Sequence, residues 1–228
     1  MKVFEDFFVY PWVSSTENNT NTIFMDGEVP LLVDPGHAHL FNHVLEGMAR
    51  DGVTPGKVKL VIGTHAHPDH IEAMEQFDGN VLRGIGKAEY EYLRGEGNEM
   101  FLMTGCRVPR KAFTLLLSEG SLVLGKKELQ VLLTPGHSPG GICLYWEEKK
   151  VLLSGDTVFY MGVGRTDLAG GDMGMLAQSV ERLSRLDIEY LIPGHGEMLK
   201  GHKAVQKNFE VIMREFFASG QTHLETTP

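Results

Sequence analysis

Short apolar runs alternate with helix-like spacings along the chain. Residues 22–25 and 30–33 flank Asp26-Gly27, which predicts a β-hairpin with these two residues in its turn. Three stretches place apolar residues three or four positions apart, which predicts helices with one buried face: Leu40, Phe41, Val44, Leu45 and Met48; Leu176, Val180, Leu183 and Leu186; Val205, Phe209, Ile212 and Phe216. Asp172 is a suitable N-cap for the second helix. The mixture of strands and helices predicts a layered α/β architecture.

Four apolar runs share one layout: a buried-strand pattern, then small turn residues, then a side chain that can bind metal. The four are residues 60–64 before His65, 131–136 before His137, 151–155 before Asp156, and 190–194 before His195. In layered α/β folds, strand ends and their loops meet at one edge of a sheet and carry the chemistry. We therefore expect these four side chains to gather at such an edge.

Residues 87–117 depart from this layout. The segment is rich in aromatic residues and methionine but only weakly periodic, which predicts a helical excursion with a break around residues 104–109. Two interpretations stay open here. The excursion either covers the site as a lid or substrate wall, or simply covers core.

Length and charge narrow the function classes. The 228 residues suit one globular domain, so we expect a single domain over residues 1–228. The formal net charge is −9 and no Lys/Arg run is present, which argues against a nucleic-acid partner. The apolar runs are too short to span a bilayer, and the N-terminus lacks a signal-peptide pattern. We expect a cytoplasmic protein with no membrane partner, and leave its oligomeric state open.

The densest chemical signal is the motif from His65 to His70, which holds three imidazoles and a carboxylate within six residues. His65 and His67 alternate, so their rings can converge on one ion, while Asp69 and His70 can face a neighbouring ion. Nitrogen and oxygen donors without thiolate suit Zn²⁺, Mn²⁺ or Fe²⁺. Six residues cannot complete two metal shells, so the donors after the other strands are needed.

These donors divide naturally between two ions. His65, His67 and His137 would hold the first, Asp69, His70 and His195 the second, and Asp156 would bridge them. Paired ions lie roughly 3.5–4 Å apart and acidify a shared water, so a metal-bridging hydroxide would be the nucleophile. Asp69 and Asp156 are the predicted catalytic residues, since Asp69 could also orient that water.

Four motifs resemble those of the metallo-β-lactamase superfamily: His65-Ala-His67-Pro-Asp69-His70, Thr134-Pro-Gly-His137-Ser, Ser154-Gly-Asp156-Thr and Pro193-Gly-His195-Gly. The resemblance covers nearly the whole chain. It implies a four-layer αββα sandwich with metals at one edge of the facing sheets, and the same ligand division. Asp34-Pro35-Gly36 fits the family's early acidic motif and would support the site.

Residues 155–159 and 162–167 are similar to glyoxalase II-type thioesterases and their persulfide dioxygenase relatives. Three features distinguish the chain from particular members of the superfamily. The true β-lactamases typically carry cysteine where Asp156 stands. Only about one helix is predicted after His195, whereas the larger glyoxalase II enzymes have a longer helical region that helps hold glutathione. Persulfide dioxygenases resemble this chain at His65, His137 and Asp156 but use one iron, whereas the motif at His195 looks more like that of the two-metal hydrolases.

Two further residues are predicted to bind substrate. Arg165 could hold a carboxylate through its planar guanidinium, or pair structurally with Asp167 or Asp172. Tyr160 could donate to a developing oxyanion, or could be a packing residue. His37 and His39 form a second HxH pattern without a following Asp-His pair, so we expect them to face solvent or to support other ligands.

The function expected from these patterns is metal-dependent hydrolysis of a small thioester, ester or lactone, with a glyoxalase II-like thioesterase favoured. The cofactor would be two divalent ions, with zinc favoured over iron or manganese. The alternatives are a mononuclear-iron persulfide dioxygenase-like oxidoreductase, a phosphodiesterase and a non-catalytic metal-binding protein.

Overall fold

The computed structural model describes residues 1–217. Strands and helices form two mixed sheets, a two-stranded ribbon and six α-helices within this range. No helix in residues 1–217 is long and apolar enough to cross a membrane. The predicted single domain over 1–228 stays a prediction, and its residues 218–228 lie outside the described part.

The first sheet has seven strands in chain order: β1 Lys2–Phe4, β2 Phe7–Tyr10, β3 Thr22–Met25, β4 Leu31–Val33, β5 Leu60–Ile62, β6 Leu82–Gly86 and β7 Leu115–Leu117. Strands β1 to β4 pair antiparallel, and β4 to β7 pair parallel. The predicted hairpin around Asp26-Gly27 is therefore confirmed as β3 and β4, with Phe24 opposite Leu32.

The second sheet has six strands, formed by β8 Gly120–Leu124, β9 Lys127–Leu133, β10 Ile142–Trp146, β11 Val151–Gly155, β14 Tyr190–Pro193 and β15 Leu199–Lys200. Their order is β15-β14-β11-β10-β9-β8, and only β11 and β14 run parallel. The ribbon consists of β12 Val158–Phe159 and β13 Gly162–Val163.

Helices cover the outer face of each sheet. They are α1 Asn42–Arg50, α2 Pro68–Ile71, α3 Lys87–Arg94, α4 Asn98–Thr104, α5 Met173–Leu183 and α6 His202–Ile212. Helices α1 to α4 pack on the first sheet through side chains such as Met48, Leu93 and Phe101. Helices α5 and α6 pack on the second sheet through side chains such as Leu176 and Phe209. The predicted αββα sandwich is confirmed.

The inner core lies between the two sheets, and strand β2 shows how the sequence builds it. Phe7 and Val9 point into the core between the sheets, whereas Phe8 and Tyr10 point towards the outer helices. Because side chains alternate along a strand, one strand with four buried residues contributes to both apolar layers. This explains why the strands have continuous apolar runs instead of polar alternation.

Two helix ends differ from the predicted stripes. Helix α5 begins with Asp172 as its N-cap, as predicted, because the Asp172 side chain accepts from the Met175 N–H. The helix ends at Leu183, before the predicted Leu186, because the chain tightens into a turn in which Leu186 N–H donates to Leu183 C=O. Phe216 lies beyond α6 in a single π-helical turn, Met213–Phe217.

The helical excursion at 87–117 is confirmed in its first half. Helices α3 and α4 occupy it, α4 ends at Thr104 with Gly105 as its C-cap, and β7 closes the segment. Gly105 has a left-handed φ of 71°, a backbone conformation that glycine adopts without steric cost. Leu93 and Phe101 anchor the excursion to the outer core, so this part covers core.

Candidate metal centre

Seven side chains converge where β5, β9, β11 and β14 end, at one edge of the sandwich: His65, His67, Asp69, His70, His137, Asp156 and His195. Parallel pairing brings the carboxyl ends of β11 and β14 side by side, and a bond from Ile142 N–H to Thr64 C=O joins the two sheets next to the site. Asp69 and His70 lie in the one-turn helix α2, which follows His67 directly. The predicted gathering is thus what the fold produces.

Three imidazoles form the first triad, which consists of His65, His67 and His137. The Nε2 atom of His137 lies 3.2 Å from His65 Nε2 and 3.0 Å from His67 Nδ1. His137 Nδ1 is 2.7 Å from the Arg165 carbonyl oxygen. Because a carbonyl oxygen can only accept, this bond places the His137 proton on Nδ1 and leaves a lone pair on Nε2. That lone pair points at the other two rings.

The second triad consists of Asp69, His70 and His195. His195 Nε2 lies 3.2 Å from Asp69 Oδ2 and 3.3 Å from His70 Nε2. The Asn18 amide donates to Asp69 Oδ2 over 2.6 Å and orients the carboxylate. Asp69 and His70 are buried, whereas His195 is partly exposed.

Asp156 lies between the triads. Its Oδ1 is 3.3 Å from His70 Nε2, and its Oδ2 is 3.5 Å from His137 Nε2 and 3.4 Å from His195 Nε2. Gly194 makes this approach feasible, because a Cβ at that position would collide with Asp156 Oδ1. One carboxylate therefore reaches both groups of donors.

The chemistry of this donor set fits metal ions. Asp156 Oδ1 is buried and accepts no hydrogen bond from the described residues. Around it, imidazole lone pairs and carboxylate oxygens face one another at 3.0–3.5 Å. Buried acceptors repel one another unless a proton or a cation lies between them. The donors are nitrogen and oxygen only, which suits divalent ions such as Zn²⁺, Mn²⁺ and Fe²⁺.

The two triads differ in electrostatics. Burial, together with the neighbouring imidazoles, lowers the pKa of His65 well below its usual value and that of His67 to about 3. Burial also lowers the pKa of His195, but Asp156 and Asp69 outweigh it and raise the value to about 9. Burial therefore keeps His65 and His67 neutral and able to ligate, whereas at His195 a cation would replace a bound proton.

Asp34 supports the site, as the resemblance of Asp34-Pro35-Gly36 to the family's early acidic motif implied. Its Oδ2 lies 3.0 Å from His70 Nδ1, and its two oxygens accept from the Thr64 N–H at 2.7 Å and the Thr64 hydroxyl at 2.8 Å. A carboxylate on the far nitrogen of a ligating imidazole fixes the tautomer and the ring orientation. Asp34 therefore leaves His70 Nε2 free to face Asp156.

Glu89 is a functional residue that sequence reasoning missed. It is fully buried in α3, where Oε1 accepts from the Ala66 N–H and Oε2 from the Gly140 N–H, both at 2.8 Å. Ala66 lies between His65 and His67, and Gly140 is three residues after His137. One carboxylate thus fastens together the two loops of the first triad, so α3 braces the site as well as covering core.

Among the described residues, the side chains of Arg165 and Tyr160, the two predicted substrate residues, form no hydrogen bond or ion pair with the seven donors, although the Arg165 backbone carbonyl accepts from His137. Arg165 makes a bidentate pair with Asp167, both bonds 2.7 Å long, and its side chain is 61% exposed. Asp167 is one of the two structural partners that the sequence allowed for Arg165. The other, Asp172, caps α5 instead. Tyr160 is half-exposed on the turn between β12 and β13. Their roles in substrate binding stay predictions.

Comparisons with known proteins agree on one family. Residues 15–195 match the family model described as the metallo-beta-lactamase superfamily. The probable metallo-hydrolase MJ0888 of Methanocaldococcus jannaschii is 33% identical over 189 residues, covering 79% of this chain and 89% of that protein. A hydroxyacylglutathione hydrolase of Francisella philomiragia is 26% identical over 177 residues, which is 77% of this chain and 62% of that enzyme. The crystal structure of TTHA1623 in a di-iron-bound form superposes with a TM-score of 0.69 at 28% identity, covering 90% of this chain and 96% of that one.

Proposed function

Because the chain belongs to the metallo-beta-lactamase superfamily, we propose that it hydrolyses a small thioester, ester or lactone with two divalent metal ions. The observation that carries this proposal is the position of Asp156. Its two oxygens face members of both triads at 3.3–3.5 Å, which suits a carboxylate shared between two ions. A single-ion site would leave the second triad without a role.

The residues around the centre divide the work of binding and orientation. The first triad and the second triad would each hold one ion, with Asp156 between them. When bound, a metal pair supplies an acidified water as nucleophile and polarises the substrate carbonyl. Asp69 is held by Asn18 and next to His195, so it can also accept a hydrogen bond from that water and orient it.

Two arguments support the choice of metal and substrate. Imidazole and carboxylate donors favour zinc, with manganese and iron as competitors. Of these two competitors, the similarity to the di-iron-bound form of TTHA1623 favours iron over manganese. The similarity to hydroxyacylglutathione hydrolase favours a thioester as substrate, although that alignment spans only 62% of the enzyme. Recognition of glutathione itself is therefore left out of the proposal.

Metal analysis coupled to a substrate panel tests the proposal. We expect two metal equivalents per chain and turnover of a thioester faster than that of matched esters, lactones and phosphodiesters. Asp156→Ala should lose turnover and metal, whereas Asp187→Ala, which removes an exposed carboxylate paired with Lys150, should lose neither.

Three outcomes would contradict the proposal. Full hydrolysis by Asp156→Ala would remove the role of the shared carboxylate. Stoichiometric metal without turnover of any substrate would favour a metal-binding protein. Oxygen uptake by iron-loaded protein with glutathione persulfide, without hydrolysis, would favour the mononuclear-iron oxidoreductase.

A further inference from the structure

Three side chains that could ligate a metal, His37, His39 and Glu72, lie together outside the seven-donor centre, and Cys106 contacts His37; we call these four the outer cluster. They come from the loop after β4, the turn after α2 and the segment after α4. We propose that the outer cluster binds one additional divalent cation of the zinc type. This site is independent of the proposed hydrolysis, since it uses none of the seven donors.

The spacing of the donor atoms supports a tetrahedral ion. His37 Nδ1 lies 3.0 Å from Glu72 Oε2 and 3.7 Å from Cys106 Sγ. Zinc bonds of about 2.0–2.1 Å to nitrogen and oxygen, and about 2.3 Å to sulfur, give ligand edges of about 3.3 Å and about 3.6 Å in a tetrahedron. One ligand atom each from His37, His39 and Glu72 falls within 4.8 Å of the others. His37 Nδ1 therefore lies at nearly tetrahedral ligand spacing from both Glu72 Oε2 and Cys106 Sγ.

Backbone hydrogen bonds hold the central carboxylate in place before any ion binds. Glu72 Oε2 accepts from the Ala38 N–H at 3.2 Å, and Oε1 accepts from the Arg107 N–H at 3.0 Å. Glu72 therefore joins the loop that carries both histidines to the segment that carries Cys106. Ligands that are already positioned lower the entropic cost of binding.

Access to the cluster comes from its exposed side. The side chains of His37 and Glu72 are only 13% and 11% exposed, whereas that of His39 is 61% exposed. The His39 ring lies 5.2 Å from the His37 ring, centroid to centroid, and its Nε2 lies 3.6 Å from the exposed Glu17 carboxylate. It can reorient to complete the shell as an ion enters. The donor set of two imidazoles, a carboxylate and a thiolate is one that zinc accepts.

The alternative is a metal-free cluster, in which the His37–Glu72 pair ties two loops together and Cys106 only packs against the outer core. The two interpretations differ in metal stoichiometry and in sulfur ligation. Neither difference requires the protein to be active.

Cobalt substitution of the full-length chain separates them. Because the seven donors include no sulfur, a thiolate-to-cobalt absorption band in the near ultraviolet would report on the outer cluster alone. We expect this band in the wild-type protein and its loss in Cys106→Ser. Cys143→Ser serves as the control, because Cys143 is fully buried against Thr134 and Ser154 in the second sheet. Absence of the band at saturating cobalt would overturn the proposal.

Zinc counting gives the second readout. The double variant His37→Gln/Cys106→Ser should bind one equivalent fewer per chain than the wild type, while His202→Gln, an exposed histidine on α6, should bind the same number. Because the quantity is a difference, it holds whether the seven-donor centre binds two ions or one. Equal zinc content in wild type and double variant would refute the outer site, and a loss of all zinc would show that its residues serve the main centre instead.

Discussion

Replacing Asp34 with asparagine tests how the strand ends prepare His70 for a metal ion. Asp34 has a φ of 51°, a left-handed conformation that asparagine also tolerates, so the backbone should keep its shape. The amide oxygen can still accept from the Thr64 N–H, as Oδ1 does now. The new amide N–H₂ group, however, would face His70 Nδ1, which now lies 3.0 Å from a carboxylate oxygen.

Two N–H groups repel each other, so the His70 proton would move to Nε2, the atom that faces Asp156. A protonated Nε2 cannot ligate, so the tautomer must be reversed before a metal binds. A hydrogen bond to a charged group contributes roughly 1.5–3 kcal/mol, which corresponds to roughly 10–150-fold in affinity. We therefore expect the ion held by the second triad, to which His70 belongs, to lose affinity by roughly that factor.

Competition with a chelating indicator measures this loss, and thermal melting checks that the variant is folded. Asp26→Asn provides a matched control, since it removes the same charge at the hairpin turn, where Asp26 pairs with Lys57. Folded Asp34→Asn with unchanged affinity for both ions would refute the idea that Asp34 sets the tautomer of His70.

Three further outcomes follow from the structure. Glu89→Ala leaves two buried backbone N–H groups without acceptors, which costs about 1–3 kcal/mol each. The variant should therefore unfold at a lower denaturant concentration and bind metal more weakly at the first triad. Exposed Glu91→Ala should keep the wild-type stability, and a Glu89→Ala variant that is equally stable would contradict this. In metal-free protein, the pKa of His195 is raised to about 9, so its stabilisation is complete below pH 6.5 and is lost as the pH rises through 9. Metal-loaded protein should not show this loss, so its melting temperature should stay constant as the pH rises through 9. An equal fall in melting temperature with and without metal would contradict this. Asp172→Ala removes the α5 cap and should lower the free energy of unfolding by about 1 kcal/mol, whereas Asp172→Asn should not.

The seven donors could be predicted because each follows a local pattern. His65, His137, Asp156 and His195 come directly after a short apolar run and small turn residues, and strand ends meet at one edge whatever the details of the loops. The supporting role of Asp34, by contrast, was expected only from the resemblance of Asp34-Pro35-Gly36 to the family's early acidic motif. Side-chain alternation and strand termination depend on neighbouring residues only, so both can be identified from the sequence alone.

Glu89 and Glu72 could not be found in this way. The carboxylate of Glu89 binds backbone groups 23 and 51 residues away, and that of Glu72 binds groups about 35 residues away on both sides. On its own, a glutamate in a weakly periodic helix resembles a surface residue. His37 and His39 were expected to face solvent or support other ligands, because only the fold brings Cys106 and Glu72 beside them.

The ends of elements show a similar limit. The apolar spacing from Leu176 to Leu186 continues past the helix, because a side chain in a tight turn can pack on the same core as one in the last helical turn. Likewise, Arg165 had two acidic partners within reach in sequence, and the packing of the loop selected Asp167. Such choices depend on tertiary contacts that periodicity does not encode.

Anomalous diffraction from crystals of the zinc-saturated protein tests the central claim most directly. We predict two peaks at the edge of the sandwich, one within the first triad and one within the second, roughly 3.5–4 Å apart with Asp156 between them. A single peak, or none, with the imidazoles turned away from one another in saturated protein would contradict the two-metal centre.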